Sequence, residues 1–225
     1  MEIKSLTLQT DHLQSMKEFY INKLGFLLIA EDEESFQIQT GTSVLEFTKR
    51  NIGSKPFYHF AFNIPANQFN EAKFWLKNKV QLLTEDGEDE VNFSHLPAQA
   101  IYFEDPSGNI VEFIARFNIN EERSEPFTIN SILNISEIGL IVDDVIKAGE
   151  KLKKAHIFQR DHKPLNEKFL NFMGVRELGI FILLAHPGRR WLFSDKYSTI
   201  FPLEMTVENG RKLIVNNEGE FIIEQ

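Results

Sequence analysis

Glu46, His59 and Glu112 are the residues of this chain whose types and spacing could do chemistry together. Each sits in a run that reads as a strand: SVLEFT (43–48), YHFAFNI (58–64) and NIVEFIA (109–115). Side chains along a strand alternate between two faces. In the second run Tyr58, Phe60, Phe62 and Ile64 form an apolar face, which leaves His59, Ala61 and Asn63 on the other. Leu45 and Phe47 likewise leave Val44, Glu46 and Thr48, while Val111, Phe113 and Ala115 leave Ile110, Glu112 and Ile114. A further strand, IKSLTLQ (3–9), turns Leu6 and Leu8 inward and Ser5, Thr7 and Gln9 away. One imidazole and two carboxylates on a shared surface suit a divalent cation such as Mn, Ni, Co or Zn. A carboxylate between Ile110 and Ile114 is costly to bury unless it is paired or metal-bound. The plainer reading, which alternation alone favours, makes His59 a hydrogen-bonded strand residue and leaves both glutamates in solvent.

The elements that must position these residues repeat. A strand (3–9), a helix (12–24) with Leu13, Met16, Tyr20 and Leu24 on one face, a stop at Gly25 and strands at 26–30, 35–40 and 43–48 make one unit. Residues 58–64 begin a second unit. Pro65 opens its helix, Phe69, Ala72, Leu76 and Lys79 mark the face, and strands are expected near 81–84, 99–104 and 109–115. Asp105-Pro106-Ser107-Gly108 supplies the turn of the last hairpin. The polar stretch 116–130 reads as a boundary. A third unit follows, with a strand at 135–142, a helix over 144–155 and strands near 168–175 and 178–185, and then room for three short strands and no helix at 200–225. The expected fold is α+β, with paired βαβββ modules forming a curved mixed sheet around a cleft. Two modules fill residues 1–118 and a degenerate, truncated module fills 131–225.

Composition narrows the function classes. A net charge of -9 argues against nucleic acid and anionic membranes as partners. The absence of cysteine removes thiolate nucleophiles and thiolate metal sites. No apolar run approaches the roughly 20 residues of a membrane span, and the N-terminus starts like a strand, so a cytoplasmic location is expected. The AHPGRR run (185–190) brings His186, Arg189 and Arg190 together; a solvated turn is favoured there over an anion site. His12, His95, His156 and His162 fall in or beside loops and helix ends and receive no role.

Four segments resemble the vicinal oxygen chelate superfamily, which includes glyoxalases, bleomycin-resistance proteins and extradiol dioxygenases. IYFEDPSGNIVEF (101–113) resembles its closing hairpin, KEFYINKLGF (17–26) its first helix, YHFAFNI its His strand and SVLEF (43–47) its Glu strand. The resemblance implies metal ligation by His59, Glu112 and Glu46, with Glu112 or Glu46 also moving a proton. It implies small-molecule contacts from Ser5, Thr7, Gln9, Asn63 and Tyr102, and is compatible with a homodimer. The family's first-strand ligand, normally His, falls on Ser5, and in the second half on Glu137. With one imidazole lost, extradiol cleavage is disfavoured, and a histidine at position 5 is expected to tighten metal binding. Glu224 falls about one residue off the final Glu of the second half. Two functions follow from the resemblance: a divalent-metal-dependent lyase or transferase, or a metal-free binder that sequesters a small molecule.

Overall fold

The computed structural model describes residues 1–93 and 96–224, so His95 lies outside the described residues. The first unit holds β1 (Ile3–Gln9), β2 (Leu28–Glu31), β3 (Ser35–Thr40) and β4 (Ser43–Thr48). Its helix is α1 (Leu13–Lys17), continued by a π-helical turn over Glu18–Leu24. That turn ends at Gly25, whose φ of 90° is a conformation a side chain would strain. Met16, Tyr20 and Leu24 point into the core as their spacing predicts.

The second unit holds β5 (His59–Ile64), α2 (Phe69–Lys77), β6 (Val91–Phe93), β7 (Ala98–Glu104) and β8 (Ile110–Arg116). The strand expected near 81–84 is only an isolated bridge from Leu82 to Phe103, and β6 takes its place. The third unit runs β9 (Asn134–Ile141), α3 (Val145–Lys154), β10 (Asn171–Val175) and β11 (Ile180–Ala185). Asp144 caps its helix by accepting from the Lys147 N–H at 2.8 Å. The last three strands are β12 (Leu203–Val207), β13 (Lys212–Val215) and β14 (Phe221–Glu224).

Two mixed seven-stranded sheets result, in the orders β14-β13-β12-β1-β4-β3-β2 and β10-β11-β9-β5-β8-β7-β6. The module folds are those expected, but their pairing is not. The first and second units lie in different sheets. The first is extended through β1 by β12, and the second through β5 by β9, both antiparallel. Each half therefore completes the other's sheet, an arrangement with pseudo-twofold character. Within the first three units the opening strand lies parallel to the closing one, a pairing that requires a long crossover. The last segment has no helix to make that crossover, so β12, β13 and β14 form an antiparallel meander. Glu224 consequently sits on the edge strand opposite Lys212, two strands away from β12, and cannot take the place that Glu112 has beside β5.

The main core lies under the apolar strand faces and the helices. Tyr20 packs on Phe47 and Phe26 on Phe62 at 4.9 and 5.7 Å between ring centroids, which ties the two sheets together. Below the β7–β8 hairpin, Asp105 is buried and accepts from Tyr20 Oη at 2.9 Å, from Asn109 Nδ2 at 2.7 Å and from the N–H groups of Ser107 and Asn109, each at 3.0 Å. Burial outweighs these bonds and raises its carboxyl from 3.8 to about 6. A carboxyl with a higher pKa in the folded than in the unfolded chain holds its proton more tightly when folded. Its contribution to stability is therefore full below about pH 4 and is lost as pH rises toward 6. A shift of about two units corresponds to roughly 3 kcal/mol. Denaturant titrations from pH 4 to 7 should show the wild type losing about that much more than Asp105→Asn; parallel profiles would show that the carboxyl is not so shifted.

Candidate metal centre and its cleft

β8 and β9 flank β5, and the register sets Ala61 directly between Glu112 and Glu137. His59 lies two residues along β5 on the same face, paired in register with Ile110. Ala61 is small and fully buried, so the space above it stays open to the longer side chains on either side. One ligand atom from each of His59, Glu112 and Glu137 falls within 4.8 Å of the others, and all three residues are buried.

Their hydrogen bonding leaves a gap for a positive charge. His59 Nδ1 lies 3.1 Å from the Ile110 carbonyl, which can only accept, so Nδ1 carries the proton and Nε2 presents its lone pair. That lone pair is 3.5 Å from Glu112 Oε2. Burial lowers the His59 pKa, so the imidazole is neutral and the contact is not an ion pair. Burial and the neighbouring Glu137 hold the Glu112 carboxyl well above its ordinary value. Two lone-pair-bearing groups in contact require a proton or a cation between them. Arg116 Nη2 donates to Glu137 Oε1 and, at 3.2 Å, to Ser136 Oγ, while its Nε donates to Asn63 Oδ1 at 3.3 Å. The second Glu137 oxygen has no such donor among the described residues. One imidazole nitrogen and two carboxyl groups thus fit a borderline divalent ion, with Arg116 pairing with Glu137 on its other side.

A cavity of about 100 Å³ opens over these groups, walled by Tyr102, Phe172, Leu183 and Trp191. Trp191 comes from the 186–202 segment, its ring 4.6 Å from that of His59, and Phe193 stacks on Tyr102 at 4.8 Å. Lys196 holds the segment down by pairing with Glu104 at 2.9 Å and donating to the Gly108 carbonyl at 2.6 Å. Burial, with Glu112 alongside, raises the Tyr102 pKa well above its usual value, so its hydroxyl keeps its proton.

The structure brings together His59, Glu112 and Tyr102 from the sequence expectations and separates the rest. Glu46 is on β4 in the other sheet, where it accepts from Gln37 Nε2 at 3.1 Å and Thr7 Oγ1 at 3.4 Å and lies 3.7 Å from Arg50. Alternation places Glu46 on the unpacked face correctly, but that face belongs to the first sheet. Ser5, Thr7 and Gln9 share that sheet, so a histidine at position 5 would not face His59. Asn63 is a structural support: its amide donates to Asn134 Oδ1 at 2.9 Å and to the Gly179 carbonyl at 3.2 Å, and its oxygen holds Arg116. Glu137 supplies what Ser5 lacks. It occupies the first-strand ligand position of the second half, a signal present in the sequence but assigned there to a separate module.

A family profile described as the Glyoxalase/Bleomycin resistance protein/Dioxygenase superfamily matches residues 2–113. The chain belongs to this superfamily. A second profile, described as Toxoflavin-degrading enzyme, matches residues 135–189, a span that includes Glu137 and Arg189. No curated protein matches. Among solved structures, a provisionally assigned dioxygenase from Bacillus subtilis subsp. subtilis str. 168 aligns with a TM-score of 0.53 at 17% identity, over 81% of this chain and 62% of that one. This chain therefore spans less than two thirds of that protein, and at such identity the likeness concerns fold. A lactoylglutathione lyase from Agrobacterium tumefaciens aligns over 49% of this chain and 90% of its own, at 19% identity and a TM-score of 0.41. Among the described residues, no helix is long and apolar enough to cross a membrane.

Proposed function

We propose that this protein is a divalent-metal-dependent enzyme of the lyase or transferase type acting on a small molecule bound over the β5–β8–β9 face. The observation that carries this reading is the facing pair of His59 Nε2 and Glu112 Oε2, with a Glu137 oxygen within 4.8 Å of both ligand atoms. His59, Glu112 and Glu137 would hold Mn, Ni, Co or Zn. When bound, such an ion supplies Lewis-acid polarisation of adjacent substrate oxygens. Glu112 accepts or returns a proton at Oε2, a role consistent with a carboxyl that burial and Glu137 hold above its ordinary value. Tyr102 donates from its hydroxyl, Trp191 and Phe193 exclude water, and Arg116 holds Glu137 in place by pairing with it. A single imidazole does not reproduce the two-His, one-carboxylate iron site, so extradiol cleavage is not the reaction proposed.

A second reading is a metal-free binder of small molecules. The ion pair of Arg116 with Glu137 favours it, because a cation is then already built into the site. Metal analysis of the purified protein and melting curves with Mn, Ni, Co and Zn separate the two. A ligand that binds only the folded state at a hundredfold excess over Kd adds about 2.7 kcal/mol, which for a chain of this size is a rise of about 5–10 °C in Tm. Wild type should show that rise and His59→Ala should not. If no ion raises the melting temperature of the wild type, the binder remains.

A further inference from the structure

The cleft contains a cation that the metal centre does not use. Arg189 lines the cavity with Tyr102, Phe172, Trp191 and Leu192. Its main chain is fixed from both directions: its N–H donates to Ser198 Oγ at 2.9 Å, and its carbonyl accepts from the Ser198 N–H at 2.7 Å. The Nε of its guanidinium is buried and has no acceptor among the described residues. Arg160, over the Phe172 ring, likewise has a buried Nη1 without a partner among the described residues, but Arg116 and Arg190 differ. Arg116 is bonded to Glu137, Ser136 and Asn63, and Arg190 to Glu85 and the Ser194 carbonyl. A buried donor without an acceptor is a cost that folded proteins rarely carry without a use. Tyr102, Phe172, Leu183, Trp191 and Leu192 give the cavity an apolar and aromatic lining beside the His59, Glu112 and Glu137 group, and a guanidinium fork matches the two oxygens of a carboxylate or phosphate.

We propose that Arg189 binds the anionic group of the cleft's ligand, and that this ligand is an aromatic or planar apolar body carrying one carboxylate or phosphate. The inference rests on the cleft being a small-molecule site, as argued above, but not on its metal. The flat body lies among Tyr102, Phe172 and Trp191 while the oxyanion satisfies Arg189. Desolvation holds the Arg189 pKa below its usual value, an expense that a bound anion removes. Half-burial also explains why the AHPGRR run reads as a plain turn in sequence: only the fold turns Arg189 inward and Arg190 out to Glu85.

Calorimetric titration of the full chain in a chelator tests this with benzoate, phenyl phosphate, benzamide and inorganic phosphate. Benzoate or phenyl phosphate should bind at least tenfold more tightly than benzamide, and which of the two is preferred identifies the oxyanion. Inorganic phosphate alone should bind weakly. Arg189→Gln should remove the preference for anions and leave benzamide unchanged, and Arg189→Lys should restore part of it, with melting temperatures confirming that both variants fold. Equal affinity for benzamide, anion preference surviving in Arg189→Gln, or no binding of any aromatic probe would each overturn the proposal. If the wild type keeps the anion preference in chelator while showing no metal-dependent melting shift, the metal reading fails and the anion site stands.

Discussion

Glu137→Ala is expected to lower stability by about 3–5 kcal/mol and to abolish any metal-dependent rise in Tm. Glu137 and Arg116 are both almost fully buried, with side-chain exposures of 7% and 4%. Removing one partner of such a pair leaves the other charge in low dielectric without compensation, and that penalty exceeds the loss of the contact itself. For a chain whose net stability lies in the usual range of about 5–15 kcal/mol, this is a large share. The damage would not stay local. Arg116 also braces Asn63, which joins β5 to the Asn134 side chain and the Gly179 carbonyl, so an unpaired guanidinium disturbs the seam between the two halves of the chain. Replacing both partners, Arg116→Met with Glu137→Leu, should recover most of the lost stability while leaving metal response absent. Denaturant unfolding of the two variants decides the matter. A loss below about 1 kcal/mol for Glu137→Ala would mean that the pair is exposed or already broken.

The sequence carries the modules and the inward faces of their strands, because both are local. Helical spacing places Met16, Tyr20 and Leu24 in the core, and alternation separates Phe60 and Phe62 from His59 and Ala61. Which strands become neighbours is not local. Glu46 and Glu112 have the same alternation and the same claim to stand beside His59. The choice between them is made by the pairing of β5 with β9, through backbone bonds that no side-chain pattern specifies. The last strands lack a crossover helix, form a meander and extend the first sheet, while β9 remains to extend the second. Glu137 was legible as a ligand position by resemblance, yet its partners lie in the other half of the chain. Arg189 was legible only as part of a charged turn, since its burial depends on the segment that Lys196 holds against the β7–β8 hairpin.

Glu112→Gln is expected to move stability in opposite directions with and without metal. In the apoprotein the carboxylate is buried beside Glu137 and faces the lone pair of His59 Nε2, so its ionised form is disfavoured. A carboxyl with a raised folded pKa loses stability as pH climbs from its unfolded value of 4.5 through its folded one. Glutamine carries no charge at any pH, and its amide can donate to the nitrogen that Glu112 Oε2 faces. The apo variant should therefore match the wild type near pH 5 and exceed it by about 1–3 kcal/mol at pH 8, the usual cost of an unsatisfied buried polar group. With saturating Mn or Zn the order reverses. The wild type gains about 2.7 kcal/mol at a hundredfold excess over Kd, and the variant, left with one carboxylate and one imidazole, gains little. Crossing stability curves are a signature that a merely structural glutamate cannot produce, because a structural residue would cost stability in both conditions. Melting of wild type and Glu112→Gln at pH 5 and 8, each with chelator and with metal, gives the four comparisons required. If the variant is the less stable protein in chelator at pH 8, Glu112 is held by a partner other than a proton or a cation, and the metal centre is assigned to the wrong residues.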